Sequence, residues 1–258
     1  MAKATEKSAS KTAVTRAKVN LPANINEQMA ADAAKLAERL AAPTGNAIQI
    51  TQGKEFRTPD GATGSTLRAI IVDFVSYNRY YEGGYDKDNI TPPNCFAIGA
   101  VKNDDLEPSP NSPDKQSADC ASCTLNKFGS AGRGKACVNT KLLALLAPDA
   151  TDDSPLMTLR ISATALKAFD AYVSNLIRIT GRAPYAVTTE FSFDPNVDYA
   201  SVRLGNPEPC TKEQLEAAYM RRDDALKMLL TEPDFSAAEA PAAKKPALKK
   251  PAAARARA

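Results

Sequence analysis

The sequence of 258 residues contains no histidine and no tryptophan, and only five cysteines. Without histidine, the chain is excluded from Ser-His-Asp and Cys-His catalysis and from every metal site with an imidazole ligand. No apolar run approaches the roughly 18 residues that a membrane-spanning helix needs, and we predict no membrane contact. The sequence starts with a charged, Lys-rich stretch that does not resemble a signal peptide, and we therefore expect a reducing compartment. Cysteine and carboxylate are therefore the metal ligands that the chain can offer.

Positive charge is concentrated at the two ends of the chain. Residues 1–20 hold five basic residues against one acidic residue, and residues 237–258 hold six against one, whereas the whole chain has a net charge of only +3. The part between them is therefore acidic overall. We predict disordered basic arms at 1–22 and 236–258, around a single domain at 23–235. The arms either add salt-sensitive affinity for phosphate or serve only as solvated extensions.

The hydrophobic pattern predicts short strands interrupted by a helix, with further helices near both ends of the chain. The predicted helices cover 24–42, 162–180 and 211–230, and the predicted strands cover 47–57, 67–77, 96–101, 141–146, 155–161, 185–193 and 197–204. We expect the first two strands to pair with each other. This order favours a mainly β, α+β domain built as an OB-like Greek-key barrel, with residues 95–137 as a long insertion. The alternative is an α+β sheet with its helices on one face.

Four cysteines lie close together in the sequence, with the spacing C-x24-C-x2-C-x13-C: Cys95, Cys120, Cys123 and Cys137. A C-x2-C pair places two thiolates on one metal from a tight turn, and two further cysteines complete a tetrahedron. The segment has few apolar residues, and a metal would supply the stability that it lacks. We predict a structural zinc site, with buried or free thiols, two disulfides, and redox or iron–sulfur use as alternatives. Cys210 lies outside the cluster and is predicted to be a structural thiol.

The run from Gly129 to Lys135 matches the start of a phosphate-binding loop, G-x4-G-K. The match fails at the next position, where Ala136 replaces the Ser or Thr that holds magnesium, and no apolar strand precedes Gly129. We therefore expect no nucleotide hydrolysis and no enzyme, and we expect the glycines to let the chain turn sharply.

A basic stretch of Lys127, Arg133, Lys135 and Lys141 surrounds Phe128, and we expect its charged groups to be exposed. Cations that follow a phosphate backbone, together with aromatic rings on which bases stack, are typical of proteins that bind single strands with little sequence preference. Further candidates for such a surface are Arg57, Arg79, Tyr80, Tyr81, Tyr85 and Phe96. The alternative for each ring is packing inside the domain.

The cysteine segment also resembles a known family. Its motifs are Pro92-Pro93-Asn94-Cys95-Phe96-Ala97, Cys120-x-x-Cys123-x-x-Asn126-x-Phe128-Gly129-Ser130 and Gly134-Lys135-Ala136-Cys137. With the preceding Phe56-x-x-Pro59-Asp60-Gly61 and Asn78-Arg79-Tyr80-Tyr81, this pattern resembles a family of bacteriophage-encoded proteins described as single-stranded DNA-binding proteins of phage replication. The resemblance covers roughly residues 45–147.

The resemblance implies an OB-like barrel, zinc at Cys95, Cys120, Cys123 and Cys137, and single-stranded DNA as the ligand. It also implies action in the cytoplasm of an infected bacterium, in replication or recombination, with replication proteins as further partners. The basic C-terminal tail departs from the acidic tail by which many single-strand binders recruit partners. The second hypothesis is a zinc-stabilised protein-interaction module that binds a host, transcription or replication factor, and the acidic body favours it.

Overall fold

A stretch rich in aliphatic and aromatic residues forms one long strand, β4 (Leu67–Tyr80), at the centre of the main sheet. Such residues favour extended backbone that is covered on both faces. Along one edge β4 pairs antiparallel with β6 (Val138–Leu146). On its other edge it pairs with β8 (Val187–Phe193) near its start and with β5 (Cys95–Gly99) at its end. The cysteine segment therefore leaves and re-enters the sheet on the two sides of one strand.

The computed structural model of the chain describes Gln28 and residues 45–84, 91–151 and 154–232. Both predicted arms and Tyr85 lie outside the described residues, and so does the predicted helix at 24–42 apart from Gln28, which is helical. The described residues from Gly45 onward belong to one compact unit. Within this described part, no helix is both long enough and apolar enough to cross a bilayer.

The main sheet has six strands and every pairing in it is antiparallel. Its path runs from β7 (Met157–Ile161) through β6, β4 and β8 to β9 (Val202–Pro209), with β5 beside β4. Among the described strands no pairing joins β7 to β9, so the sheet is open. The predicted α+β class is confirmed, whereas the predicted OB-like barrel is not.

The region before β4 forms a separate three-stranded sheet of β1 (Gln49–Ile50), β2 (Phe56–Arg57) and β3 (Thr63–Gly64). The prediction that 47–57 pairs with 67–77 is therefore wrong. Two tight turns fold this segment on itself, the second at Gly61, whose φ of +87° is a conformation that glycine adopts without strain. Phe56 is buried and stacks on Phe193 of β8, with ring centroids 4.4 Å apart.

Helices cover both faces of the main sheet. Successive residues of β4 and β6 point to opposite faces, so each strand contributes to two apolar clusters. On one face, Phe169 of α1 (Leu166–Thr180) packs in a cluster with residues from both strands: Ile71, Leu143 and Leu145. On the other face, α2 (Lys212–Met220) and α3 (Arg222–Leu230) contribute Ala218, Ala225 and Leu229 to a cluster with Ile70, Ala144 and Leu146. The alternative with helices on one face is therefore also wrong.

The helix ends follow the predicted signals. Gly181 ends α1 with a φ of +66°, and its N–H donates to the carbonyl of Ile177. Thr211 and Gln214 form the predicted capping box at the start of α2. The predicted helix over 211–230 is two helices, because Arg221 between them leaves helical geometry while its guanidinium donates to the carbonyl of Ser154.

Candidate functional site

The fold brings together the four cysteines of residues 95–137. Cys95 begins β5 opposite Tyr80, Cys123 precedes a short 3-10 helix, and Cys137 immediately precedes β6. All four side chains, including that of Cys120, line one small apolar cavity. None of them forms a disulfide, and neither does Cys210, which lies elsewhere, on the cluster of α2 and α3.

Hydrogen bonds hold the turns that carry these thiols. The Cys120 N–H donates to the carbonyl of Leu106 at 3.0 Å, and the Cys137 N–H donates to that of Leu125 at 2.9 Å. The buried Asn126 side chain links two distant parts of the segment 95–137, since its Nδ2 donates to the Cys120 carbonyl at 2.8 Å and to Asp104 Oδ1 at 3.1 Å. The loop therefore has a defined backbone even though its apolar content is low.

The surroundings of two of the thiols, Cys120 and Cys137, favour the protonated form in the metal-free chain. Burial raises the pKa of Cys120, and it raises the pKa of Cys137 to about 12, with a further increase from the neighbouring Cys120, Cys123 and Cys95. A metal binds thiolates, so its binding would release these protons.

As the side chains stand in the described part of the chain, no three or more Cys, Asp or Glu residues are arranged so that they could hold a metal ion. The four thiols share one cavity and are the donor set that zinc prefers, but they are not closed into a coordination shell. Zinc at this cluster therefore stays a prediction.

Beside the cysteine loop lies an open groove of about 870 Å³. One wall is α1, which presents Leu166, Phe169 and Val173, and the other wall is the loop that carries Phe128 and Lys135. Charged groups of both signs line the groove: Lys102, Lys135, Lys141, Asp104 and Asp170. Apolar surface between localised cations is the composition that a nucleic-acid strand would require.

Asn103, Asn139 and Lys141 line the floor of this groove, and Asn78 bonds to the two amides from beneath it. Asn78 on β4 and Asn139 on β6 are cross-strand partners, and Asn139 donates through Nδ2 to Asn78 Oδ1. Asn103 exchanges hydrogen bonds with Asn78, at 2.7 and 2.8 Å. Next along the two strands, Lys141 lies opposite Ser76 and faces the same side. The floor is therefore a set of mutually bonded amides with one ammonium group beside them.

Phe128 is the most exposed large apolar side chain in the described part of the chain, with 81% of its surface accessible, and it lines the groove. Its loop is ordered by Ser130, whose single hydroxyl proton is shared between the carbonyls of Leu125 and Lys127 and whose oxygen accepts from the Ala136 N–H. The ring is thus presented to solvent by an ordered turn, as a stacking platform requires.

The predicted cations of this basic stretch differ in their exposure and in the groups that they contact. Lys135 Nζ lies 3.3 Å from Asp104 Oδ1 and 3.2 Å from Asn126 Oδ1, so its charge is partly neutralised. Lys127 Nζ donates to the Ala121 carbonyl, and Arg133 is exposed. Lys141, which was predicted to be exposed, is only 6% exposed, because β6 directs it toward α1, where Phe169 and Asp170 lie beside it.

The remaining predicted contact residues are not collected in the groove. Arg57 lies exposed on β2, and the half-buried Arg79 stacks over Tyr77, 5.0 Å from its ring centroid, on the sheet face opposite Asn78. Tyr80 is half-buried against the cysteine cavity, and Tyr81 follows it at the end of β4. The prediction that Phe96 contributes to a nucleic-acid-binding surface is wrong. Phe96 points inward from β5 and is only 1% exposed, so no base can stack on it.

The sequence analysis did not predict the groove residues that lie outside the cysteine loop and the basic stretch. Phe74, Lys102 and Asn139 line it although they lie outside the predicted surface, and so does α1. One signal was available, since Asn139 and Lys141 lie on the same face of β6, a strand whose second half, residues 142–146, is entirely apolar. Polar residues at period two in a buried strand indicate a face that is not fully covered.

The run from Gly129 to Lys135 does not have the context of a phosphate-binding loop. It leads into strand β6 rather than into a helix, and within it the Gly129 N–H donates to the Gly134 carbonyl. Its backbone amides therefore do not stand at a helix N-terminus, where phosphates are bound.

No protein-family profile, no curated protein and no solved structure matches this chain.

Proposed function

We propose that this protein binds single-stranded DNA in the groove between α1 and the cysteine loop, without catalysing a reaction. The observation that supports the proposal most directly is Phe128, a phenylalanine ring that is 81% exposed on an ordered turn and stands beside lysines. An exposed ring of this size contributes little to folding, whereas base stacking on such a ring contributes about 1–3 kcal/mol per base.

The charges of the groove suit a ligand with a phosphate backbone. Lys102, Lys135 and Lys141 outnumber Asp104 and Asp170 there, although the body of the chain is acidic overall. Local positive charge in an acidic body favours contact with a strand in one groove rather than over the whole surface. Binding of this kind weakens as salt rises, because phosphate contacts release counterions.

A structural zinc ion at Cys95, Cys120, Cys123 and Cys137 forms the second part of the proposal. Four thiolates around one ion would cross-link the start of β5, the C-x2-C turn and the start of β6. This cross-link would hold in place the loop that presents Phe128. The zinc has no role in a reaction.

The sequence motifs that resemble phage single-strand binders add a biological setting to the proposal. In that setting the protein protects strands during replication or recombination in the cytoplasm of an infected bacterium, with replication proteins as partners. A closed OB-like barrel is not required, because the groove is formed by the open sheet, α1 and the cysteine loop.

The test is fluorescence anisotropy of a labelled dT oligonucleotide with the full-length protein, at a low and a high salt concentration, beside a duplex of the same length. Binding of the single strand that exceeds duplex binding and persists at the higher salt supports the proposal. Equal and salt-sensitive binding to both, or no binding, would refute it. The protein-interaction hypothesis would then be the one to pursue.

A further inference from the structure

Lys141 is an unusual residue for the position it occupies. It lies on β6, an internal strand of the main sheet, it is 6% exposed, and it nevertheless lines the groove. Burial of an ammonium group is costly unless its charge and its three donors are matched by partners. The partners of Lys141 in the described part of the chain therefore decide what the residue does.

These partners match the ammonium group incompletely. Ser76 Oγ lies 3.3 Å from Lys141 Nζ, and since the Ser76 hydroxyl donates its proton to the Val101 carbonyl, it offers a lone pair to the lysine. Asp170 Oδ1 lies 3.8 Å away, which is beyond hydrogen-bond distance, and its side chain is 61% exposed. The rings of Phe74 and Phe169 lie 5.4 and 6.0 Å from Nζ and add weak cation–π attraction.

We infer that Lys141 is the anion anchor of the groove, and that it binds one phosphodiester oxyanion of a bound single strand in place of Asp170. This inference rests on the proposed function and deepens it. The oxyanion enters from the open side of the groove and accepts a hydrogen bond from Nζ. Asp170, on the first half of α1, turns toward solvent, where most of its surface already lies. The rings of Phe74 and Phe169 near Nζ strengthen the contact by excluding water.

The test compares the full-length protein with Lys141→Met, a replacement of similar shape without charge. Anisotropy with the dT oligonucleotide is measured over a range of salt concentrations. We expect the variant to lose about tenfold in affinity, as for a hydrogen bond to a charged group. The slope of log affinity against log salt should become shallower by about 0.7, the value for one phosphate contact on a single strand.

The matched controls come from an ion pair on α2, which packs on the opposite face of the sheet from α1. Lys212 and Glu216 are also 3.8 Å apart, but the Lys212 side chain is 81% exposed and neither residue lines the groove. Lys212→Met and Glu216→Gln should leave the affinity and the salt slope unchanged. If Lys141→Met behaves as Lys212→Met does, the inference is overturned while the proposed function stands.

Asp170→Asn is the second variant, and it keeps the inference testable if Lys141→Met does not fold. Because Asp170 is mostly exposed, this change should not disturb the core, and it removes the carboxylate that competes with phosphate. We expect severalfold tighter binding of the dT oligonucleotide than in Glu216→Gln. Unchanged or weaker binding would contradict the displacement of Asp170 by a phosphate.

A separate arm uses inorganic phosphate and does not require a strand. The melting temperature of the wild-type protein in phosphate should exceed that in chloride of equal ionic strength, and the difference should shrink in Lys141→Met. If phosphate raises the melting temperature through Lys141 while dT is not bound, the anion site is supported and its assignment to a single strand is refuted. If dT binds but neither its affinity nor the effect of phosphate depends on Lys141, the anchor role of Lys141 is refuted and the proposed function is not.

Discussion

Phe128 and Phe96 show at the level of single residues how two phenylalanines of one segment take opposite roles. Phe96 is fully buried on β5, whereas Phe128 stands in solvent at the edge of the groove. Transfer of a phenylalanine side chain out of water is worth about 1.5–3 kcal/mol, and Phe128 forgoes most of that gain. A ligand that covers the ring would recover it.

Phe128→Ala is expected to weaken dT binding by about 5- to 100-fold, which corresponds to the loss of one stacked base. The melting temperature should change little, because the ring is 81% exposed and its loop is held by the backbone and Ser130. Anisotropy and thermal denaturation of the same preparation measure both effects.

The control for this variant is Tyr199→Ala, which removes an exposed ring from the turn between β8 and β9. It should bind dT as the wild type does. An equal loss of affinity in both variants would mean that Phe128 has no particular role.

Cys210 allows a prediction on pH. Burial raises the pKa of its thiol to about 11, against an opposing effect of Arg182. Between about pH 9 and 11 the folded chain keeps this proton and the unfolded chain loses it, so the free energy of unfolding falls as pH rises through this window. In Cys210→Ala the fall should be smaller than in the wild type.

Urea denaturation at several pH values from about 8 to 11 measures this difference. Tyr77 and Tyr172 also have raised pKa values because they are buried, but they titrate in both proteins and cancel in the comparison. Identical pH profiles would show that Cys210 titrates alike in the folded and unfolded chain.

At the scale of elements, the cysteine loop and the sheet depend on each other. The loop begins at β5 and ends at β6, both of which pair with β4, and its Asn103 exchanges hydrogen bonds with Asn78 of β4. Its own apolar content is low, so we expect its stability to come from these attachments and from a metal.

Cys123→Ser is expected to reduce zinc in the purified protein from about one ion per chain to near zero, and to lower the melting temperature. Metal content by mass spectrometry of protein purified without chelator is the measurement. Binding of dT should weaken as well, because the loop that carries Phe128 would lose its cross-link.

Cys210→Ala is the matched control, since Cys210 is a free cysteine outside the cavity of the other four. It should keep its metal. A wild-type protein that contains no zinc would refute the metal site, whatever the variants do.

Prediction of the elements from the sequence succeeded where local chemistry decides the structure. The end of α1 at Gly181 and the capping box of α2 depend on one or two residues and their neighbours. The pairing of 47–57 with 67–77 failed, because strand partners are chosen by long-range packing. Phe56 packs on Phe193, more than a hundred residues away in the sequence, and no local pattern indicates that contact.

At the scale of the whole molecule, the main sheet separates two apolar clusters, and the groove opens where α1 no longer covers one face. The helices of the other face lie on the opposite side of β4 and β6. The candidate site is therefore built on the face of the sheet that carries α1, beside the apolar cluster of that face.

Removal of residues 1–20 and 237–258 together tests the basic ends of the chain. We expect dT binding to weaken and its salt dependence to become shallower, because eleven basic residues are lost, but binding should persist through the groove. Anisotropy at two salt concentrations, with the full-length protein beside it, measures the effect. A truncated protein that binds no single strand would place the binding in the ends of the chain and contradict the groove.

The sequence by itself determined the α+β class, the helix ends and the four cysteines that come to share one cavity. These features follow from periodicity, capping residues and spacing, which act over a few residues or within one loop. Tertiary structure alone decided that the sheet is open, that Phe96 is buried and that Lys141 lies under α1 beside Asp170. The physical reason is that burial and charge pairing are set by which distant strands and helices pack together, and the spacing of residues along the chain does not contain that information.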